Sequence, residues 1–248
     1  MLFETETLRL IVALDLRVPE GENERDLAQE LLERTCDKLG PLGVTIKINT
    51  IARILGSTAI ELLQDNGLAC FLDLKLVDIG NTLRNEVSWL QRYAPFMLTV
   101  YERVKPAVFT ELMELLPDTL VLPVGPLTDF DDKDFEHFGN PNEQTRNSAV
   151  DAFFKRAWRL KAQGVVCAPT DIKLTAPGFR ESVTFVTPAV QPAWLVNDNT
   201  PNALTPAMAI QAGAGALVVG RGITAQEDIR AAAEKTLEEM ARARQALS

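Results

Sequence analysis

Asp73, Lys75 and Asp78 form a D-x-K-x-x-D string within Phe71-Leu72-Asp73-Leu74-Lys75-Leu76-Val77-Asp78-Ile79-Gly80-Asn81-Thr82, a stretch that begins apolar and ends polar. Residues two apart on a strand point to the same face, so Asp73 and Lys75 share one. Asp78 falls past the strand end, where the chain turns. Gly80 permits a tight turn, and Thr82 is a good N-cap for the helix that follows. Two carboxylates and an ammonium are thus gathered at the carboxyl end of a strand, where each favours the charged form of its opposite. Such groups can stabilise a developing charge and deliver a proton to it. A plain salt-bridge cluster would have the same residues, and chance alone produces the string in roughly one chain in thirty of this length. What separates the two readings is the apolar strand that carries it, because buried charges are rare unless paired or functional.

The rest of the chain must position these groups. At 248 residues it is long enough for one large domain, residues 1–248, of the size typical of a (β/α)8 barrel. The net charge of −9 and the lack of any basic run exclude a nucleic-acid surface. A negatively charged small substrate remains compatible, because a local pocket can be positive on an acidic protein. Cys36, Cys70 and Cys167 form no C-x-x-C pair and suit a reducing, cytoplasmic compartment as small buried hydrophobes. The lone histidine, His137, sits in a polar segment and is expected at the surface, which removes His-based metal sites and a Ser-His-Asp triad from consideration. Glu4, Glu6 and Arg9 precede the first apolar run, so no signal peptide is expected, and no apolar run is long enough to span a membrane.

Continuous apolar runs, the mark of strands covered on both faces, predict strands at residues 10–14, 44–48, 69–74, 96–100, 119–124, 164–167, 183–187 and 216–219. Amphipathic segments between them predict helices, including 23–38, 50–64, 82–93, 105–116 and 145–163. Residues 188–202 form the longest irregular piece. Thr205-Pro206 starts another helix, and Thr224-Ala225-Gln226-Glu227 reads as a capping box before the last one. Eight alternating βα units imply parallel pairing, and eight in this length favour a single closed (β/α)8 TIM barrel. No Gly-x-Gly-x-x-Gly follows the first strand, which argues against a dinucleotide fold.

In such a barrel the site lies at the carboxyl ends of the strands. Those ends carry Asp15, Lys47, the Asp73/Lys75/Asp78 group, Thr128, Pro188 and Arg221. Taken singly, Asp15 or Lys47 could be a solvated loop charge; all of them at one end of one barrel is harder to dismiss. The last two strands usually supply a phosphate cradle, and here they offer a long loop and Gly220-Arg221-Gly222. Glycine lets backbone N–H groups approach an anion, and arginine grips phosphate with a fork of donors.

The string Asp73-Leu74-Lys75-Leu76-Val77-Asp78-Ile79-Gly80-Asn81-Thr82 resembles the active-site motif of the orotidine 5'-monophosphate decarboxylase family. The wider decarboxylase/aldolase superfamily shares D-x-K-x-x-D, but the Ile-Gly-Asn-Thr continuation is closer to the orotidylate enzymes. The likeness extends along nearly the whole chain. It takes in Ile11-Val12-Ala13-Leu14-Asp15, Ile46-Lys47, Leu127-Thr128, Val166-Cys167-Ala168, Val186-Thr187-Pro188 and Val218-Val219-Gly220-Arg221. The resemblance implies that Asp15 and Lys47 contact ribose, that Asp73 and Lys75 face the reacting carbon, and that Asp78 and Thr82 reach a neighbouring subunit's site in a homodimer. It implies that Arg221 and the loop after strand seven hold phosphate. It further implies conversion of orotidine 5'-phosphate to UMP, the last step of pyrimidine synthesis, with neither metal nor organic cofactor and with no nucleic-acid or membrane partner.

The chain also departs from the family pattern. Ala189-Val190-Gln191 stands where Gly-Ile-Arg or Gly-Val is common. The phosphate-binding glutamine aligns with Asn199, with Gln191 as competitor. Tyr101 replaces a histidine and Ala168 a serine. Two alternatives therefore stay open: a magnesium-dependent sugar-phosphate decarboxylase or aldolase using the same carboxylates on a metal, and a non-catalytic nucleotide-binding barrel.

Overall fold

The computed structural model describes residues 8–127, 130–137, 140–196 and 204–247. Its strands are β1 (Arg9–Leu14), β2 (Thr45–Ile48), β3 (Ala69–Leu76), β4 (Met97–Tyr101), β5 (Leu120–Val124), β6 (Gly164–Val166), β7 (Thr184–Thr187) and β8 (Ala216–Val219). All pair in parallel in chain order and β8 closes on β1, giving the expected (β/α)8 barrel. The helices are α1 (Glu24–Leu39), α2 (Thr50–Leu55), α3 (Ser57–Asp65), α4 (Gly80–Ser88), α5 (Pro106–Leu115), α6 (Asp132–His137), α7 (Arg146–Arg159), α8 (Pro177–Ser182), α9 (Pro206–Ala212), α10 (Arg221–Thr224) and α11 (Ile229–Gln245). No helix among the described residues is long and apolar enough to cross a membrane.

The strands read as unbroken apolar runs because each is covered twice. On β1, Ile11 and Ala13 point into the barrel with Phe71, Met97, Leu122 and Val218. Leu10, Val12 and Leu14 point outward, against the helices. The inward positions follow a gradient: Ile11, Ala13, then Asp15 on β1 and the loop after it; Phe71, Asp73, then Lys75 on β3. Apolar side chains thus fill the barrel's depth and charged ones its carboxyl mouth.

The helix boundaries hold three departures from expectation. The helix expected over residues 50–64 is broken at Gly56, whose φ of 60° and ψ of −136° no helix accommodates. The helix after β3 begins at Gly80, with Ile79 as N-cap, and Thr82 lies inside its first turn rather than capping it. Gly80 is there for close packing and not for a turn: a Cβ on it would lie 2.9 Å from Val108 of α5. The pattern at residues 224–227 caps nothing. Thr224 ends α10, and the Asp228 carboxylate caps α11 by accepting from the N–H groups of Arg230 (3.0 Å) and Ala231 (3.1 Å). Helix α8, which starts on Pro177, was not anticipated from the sequence.

Candidate active site

The first three strands deliver their charged ends to one place. Lys47 Nζ lies 3.6 Å from Asp15 Oδ1 and 3.3 Å from Asp73 Oδ2, and Lys75 Nζ lies 2.7 Å from Asp73 Oδ1. The result is an alternating row: Asp15, Lys47, Asp73, Lys75. Its middle is withdrawn from water, with the side chains of Lys47 and Asp73 only 12% and 14% exposed, while Asp15 at the rim is 75% exposed. Burial pushes the Asp73 carboxyl up, but Lys47, Lys75 and the Thr99 hydroxyl outweigh it and hold the group below its ordinary value.

The row forms one wall of a cavity of about 320 Å³ at the barrel mouth. The opposite wall is largely apolar, made by Val124, Pro126, Leu127, Val166, Pro188 and Ala189. Gly220 brings backbone to the same rim. A ligand held here meets alternating charges on one side and apolar surface on the other. That suits a small ligand with one charged or polar side and one apolar side.

The backbone of β3 departs from its ladder to present Asp73 and Lys75. Register with β4 holds at Leu72↔Leu98 and resumes at Leu76↔Val100, so three residues of β3 face Thr99 alone. Lys75 sits at φ 49°, in the left-handed region that non-glycine residues rarely occupy. Groups freed from the ladder find side chains instead. Asn49 Nδ2 donates to the Asp73 carbonyl (2.8 Å), Arg53 donates to the Leu74 carbonyl (3.2 Å), and the Lys75 N–H donates to Thr99 Oγ1 (2.9 Å). Sequence reasoning singled out none of these three. Thr99 could have been found as a polar residue at an inward position of an apolar strand. Asn49 and Arg53 carry no such mark.

The other expected residues are scattered more widely. Pro188 lines the cavity, followed by Ala189 at φ 61° where glycine would be unstrained. Arg221 is exposed, at the start of α10, and is not among the lining residues. Gly222 is needed for contact: a Cβ there would lie 2.7 Å from Pro192, so the root of the β7 loop rests against the segment carrying Arg221. Gln191 is engaged within that loop, its N–H donating to the Leu204 carbonyl (3.0 Å) and its Nε2 to the Leu195 carbonyl (2.9 Å). Thr128 and Asn199 lie outside the described residues. Asp78 is exposed and accepts from the Ile79 N–H; neither it nor Thr82 lines the cavity of its own barrel.

Two arginines on α7 make buried ion pairs, one of them bracing the far wall, and neither was legible beforehand. Arg146 donates to the carbonyls of Leu127 (2.8 Å) and Phe130 (3.2 Å) and to the buried Asp171 (2.7 Å), joining the loops after β5 and β6. Burial pushes Asp171 above its ordinary value, a rise that Arg146 offsets only in part. Arg156 grips the buried carboxylates of Glu102 and Glu143. The three cysteines are free and buried, and burial pushes the Cys36 thiol up to about 11 and the Cys70 thiol up to about 12. Among the described residues no group of three His, Cys, Asp or Glu side chains is set to hold a metal ion.

The model of the orotidine 5'-phosphate decarboxylase / HUMPS family matches residues 8–236. An orotidine 5'-phosphate decarboxylase of Methylobacterium sp. (strain 4-46) is 34% identical, the match covering 95% of this chain and 96% of that one. One from Heliobacterium modesticaldum is 32% identical over 94% and 96%. Among solved structures, the orotidine 5'-phosphate decarboxylase of Lactobacillus acidophilus superposes with a TM-score of 0.74 at 29% identity, covering 94% of this chain and 99% of that one.

The Asp73 environment has a consequence for stability. Its folded value is depressed below 3.8, so its contribution is full above that pH and is lost as pH falls through the folded value. Asp73→Asn leaves Lys47 and Lys75 without the carboxylate between them and is expected to be less stable at pH 7. In denaturant titrations the gap to wild type should narrow below about pH 4. Curves that stay parallel through the acid range would show that the carboxylate does not stabilise the fold through these lysines.

Proposed function

The chain belongs to the orotidine 5'-phosphate decarboxylase / HUMPS family, and on that premise we propose that it decarboxylates orotidine 5'-phosphate to UMP in pyrimidine synthesis, with Lys75 as the proton donor. The observation that carries this reading is the alternating row, with the Lys75 ammonium 2.7 Å from Asp73 at the mouth of one cavity. Breaking the C6–carboxylate bond releases carbon dioxide and leaves the bonding pair on C6, in the plane of the pyrimidine. The Lys75 ammonium stabilises that charge and then transfers a proton to C6; the neutral amine regains one from solvent. Asp73 holds Lys75 from one side and lies beside the departing carboxylate. Asp15 and Lys47 bind the ribose hydroxyls, the apolar wall takes the ring, and Gly220 and Arg221 hold phosphate at the rim. Thr128, Pro188, and Gln191 or Asn199 complete the binding set. Phosphate held far from C6 supplies binding energy to the reacting end.

The magnesium-dependent and non-catalytic alternatives are not favoured, since relatives matching 94–95% of the chain carry the decarboxylase name. The reaction needs no metal, so loss of ultraviolet absorbance from orotidine 5'-phosphate should proceed unchanged after exhaustive chelation. Activity that disappears with the chelator and returns with magnesium would overturn the proposal.

For phosphate, Arg221→Ala is expected to weaken UMP binding by about 1.5–3 kcal/mol while barely changing uridine binding, as for a lost charged hydrogen bond. Equal losses for the two ligands would remove Arg221 from the phosphate site.

Asp78 and Thr82 serve a neighbouring subunit's cavity in a homodimer. They lie outside their own cavity, and Asp78 stands between two exposed apolar side chains, Val77 (62%) and Ile79 (72%), as befits a buried contact. A two-fold pairs the same surface with itself, so each site combines both chains. The test mixes two inactive variants, Lys75→Ala and Asp78→Ala. Random exchange makes about half the dimers mixed, and one site of each mixed dimer is undamaged, so roughly a quarter of wild-type activity should return. A mixture that stays dead after exchange is verified by mass would put Asp78 in its own chain's site.

A further inference from the structure

Thr99 is fully buried at an inward position in the middle of β4. Its hydroxyl sits where β3 leaves the ladder and touches both of the strand's functional residues. The Lys75 N–H lies 2.9 Å from Oγ1, and Asp73 Oδ1 lies 3.0 Å from it. A backbone N–H can only donate, so the hydroxyl accepts from Lys75 and its single proton is left for an acceptor. Two acceptors are in range: the Asp73 carboxylate at 3.0 Å and the Leu72 carbonyl at 3.5 Å. The carboxylate is both nearer and charged, and charge-assisted hydrogen bonds are the stronger kind. One hydroxyl therefore links the backbone of Lys75 to the side chain of Asp73.

That link falls where β3 needs it. Lys75 holds φ 49° with no glycine to permit it, and its N–H has no strand partner at this irregularity. A non-glycine residue keeps such a conformation only when its surroundings over-determine it. Thr99 supplies the amide's partner, while Asn49 and Arg53 take the two preceding carbonyls. Without the hydroxyl, the Lys75 N–H would be buried beside an apolar side chain, and Asp73 would lose one of the contacts that orient its carboxylate.

We infer that Thr99 is a positioning residue for the reaction: its hydroxyl fixes the Lys75 backbone and the Asp73 carboxylate in one arrangement, and so sets where the Lys75 ammonium stands relative to C6. The inference rests on the decarboxylase reading, and Thr99 itself touches no reacting atom. The charged groups facing Asp73 are Lys47 from β2 and Lys75 from β3, with Asp15 beyond Lys47. The Thr99 hydroxyl adds to their effect in keeping the carboxylate ionised.

The test compares Thr99→Val, close in shape but lacking the hydroxyl, with Thr99→Ser, which keeps it. In Thr99→Val, kcat should fall on the order of 10- to 100-fold, as expected for displaced catalytic groups. KM and UMP affinity should change less than about threefold, since the ribose and phosphate contacts remain. Thr99→Ser should recover most of the lost kcat. A kcat unchanged in Thr99→Val, equal losses in both variants, or a loss of UMP affinity matching the loss of kcat would each overturn the inference. A second measurement needs no substrate. The Asp73 carboxyl, titrated by carbon-13 NMR, should move to higher pKa in Thr99→Val and stay in place in Thr99→Ser; an unmoved Asp73 in Thr99→Val rejects the link. If the titration moves as expected while wild type fails to consume orotidine 5'-phosphate, the link stands and it is the reaction that was misread. Should Thr99→Val not fold, Thr99→Ala gives a second hydroxyl-free variant for both measurements, with the same outcomes deciding.

Discussion

The carboxylate of Asp73 cannot leave water alone. An ionised group moved into a protein interior costs several kcal/mol unless opposite charge and hydrogen bonds go with it. Here two ammonium groups flank it, Lys47 at 3.3 Å and Lys75 at 2.7 Å, and Thr99 adds a hydroxyl at 3.0 Å. Much of the site follows from meeting that requirement. Lys47 comes from the neighbouring strand because parallel register sets it beside β3, and Asp15 comes from the next strand over to face Lys47 in turn. The row extends to the point where its last carboxylate reaches solvent.

The same requirement accounts for the broken ladder. Asp73 and Lys75 must both face inward with their charged ends in contact, and a regular strand paired throughout with β4 does not provide the left-handed turn seen at Lys75. Three backbone groups at the irregularity, the Asp73 and Leu74 carbonyls and the Lys75 N–H, pair with side chains from the segment after β2 and from β4. A buried polar group left unpaired costs more than a made hydrogen bond contributes on balance, so these partners are a condition for the distortion. The opposite wall is held differently. Arg146 ties the loops after β5 and β6 to α7 by a carboxylate and carbonyls, leaving an apolar surface towards the cavity.

A protein with a net charge of −9 can still accept an anionic ligand, because what the ligand meets is local. At the mouth, lysines alternate with carboxylates and balance them. The excess acid of the chain lies elsewhere, as on α6 and the loop before it. This arrangement keeps the lysines close to neutralising partners before a ligand arrives, so an anion entering beside Asp73 meets one carboxylate and two cations rather than an open positive field.

The amino-acid sequence by itself determined the barrel. Strands covered on both faces must be continuously apolar, and eight such runs alternating with amphipathic segments leave few other ways to bury them. It also determined which charges stand at the carboxyl ends, because alternation along a strand assigns Asp73 and Lys75 to one face, although their actual placement also involves the left-handed backbone at Lys75. It did not determine what those charges touch. The pairing of Lys47 with Asp73 depends on register between strands, and the Thr99 link spans two dozen residues of chain. Local signals failed where packing decided: Gly80 read as a turn glycine but makes room for Val108, and Thr82 read as a cap but lies within the helix. Arg146 and Asp171 lie 25 residues apart with no local mark to connect them, and only the closed barrel brings their loops together. The left-handed backbone of Lys75 belongs to the same class, since a lysine would not adopt it without partners that tertiary structure alone supplies.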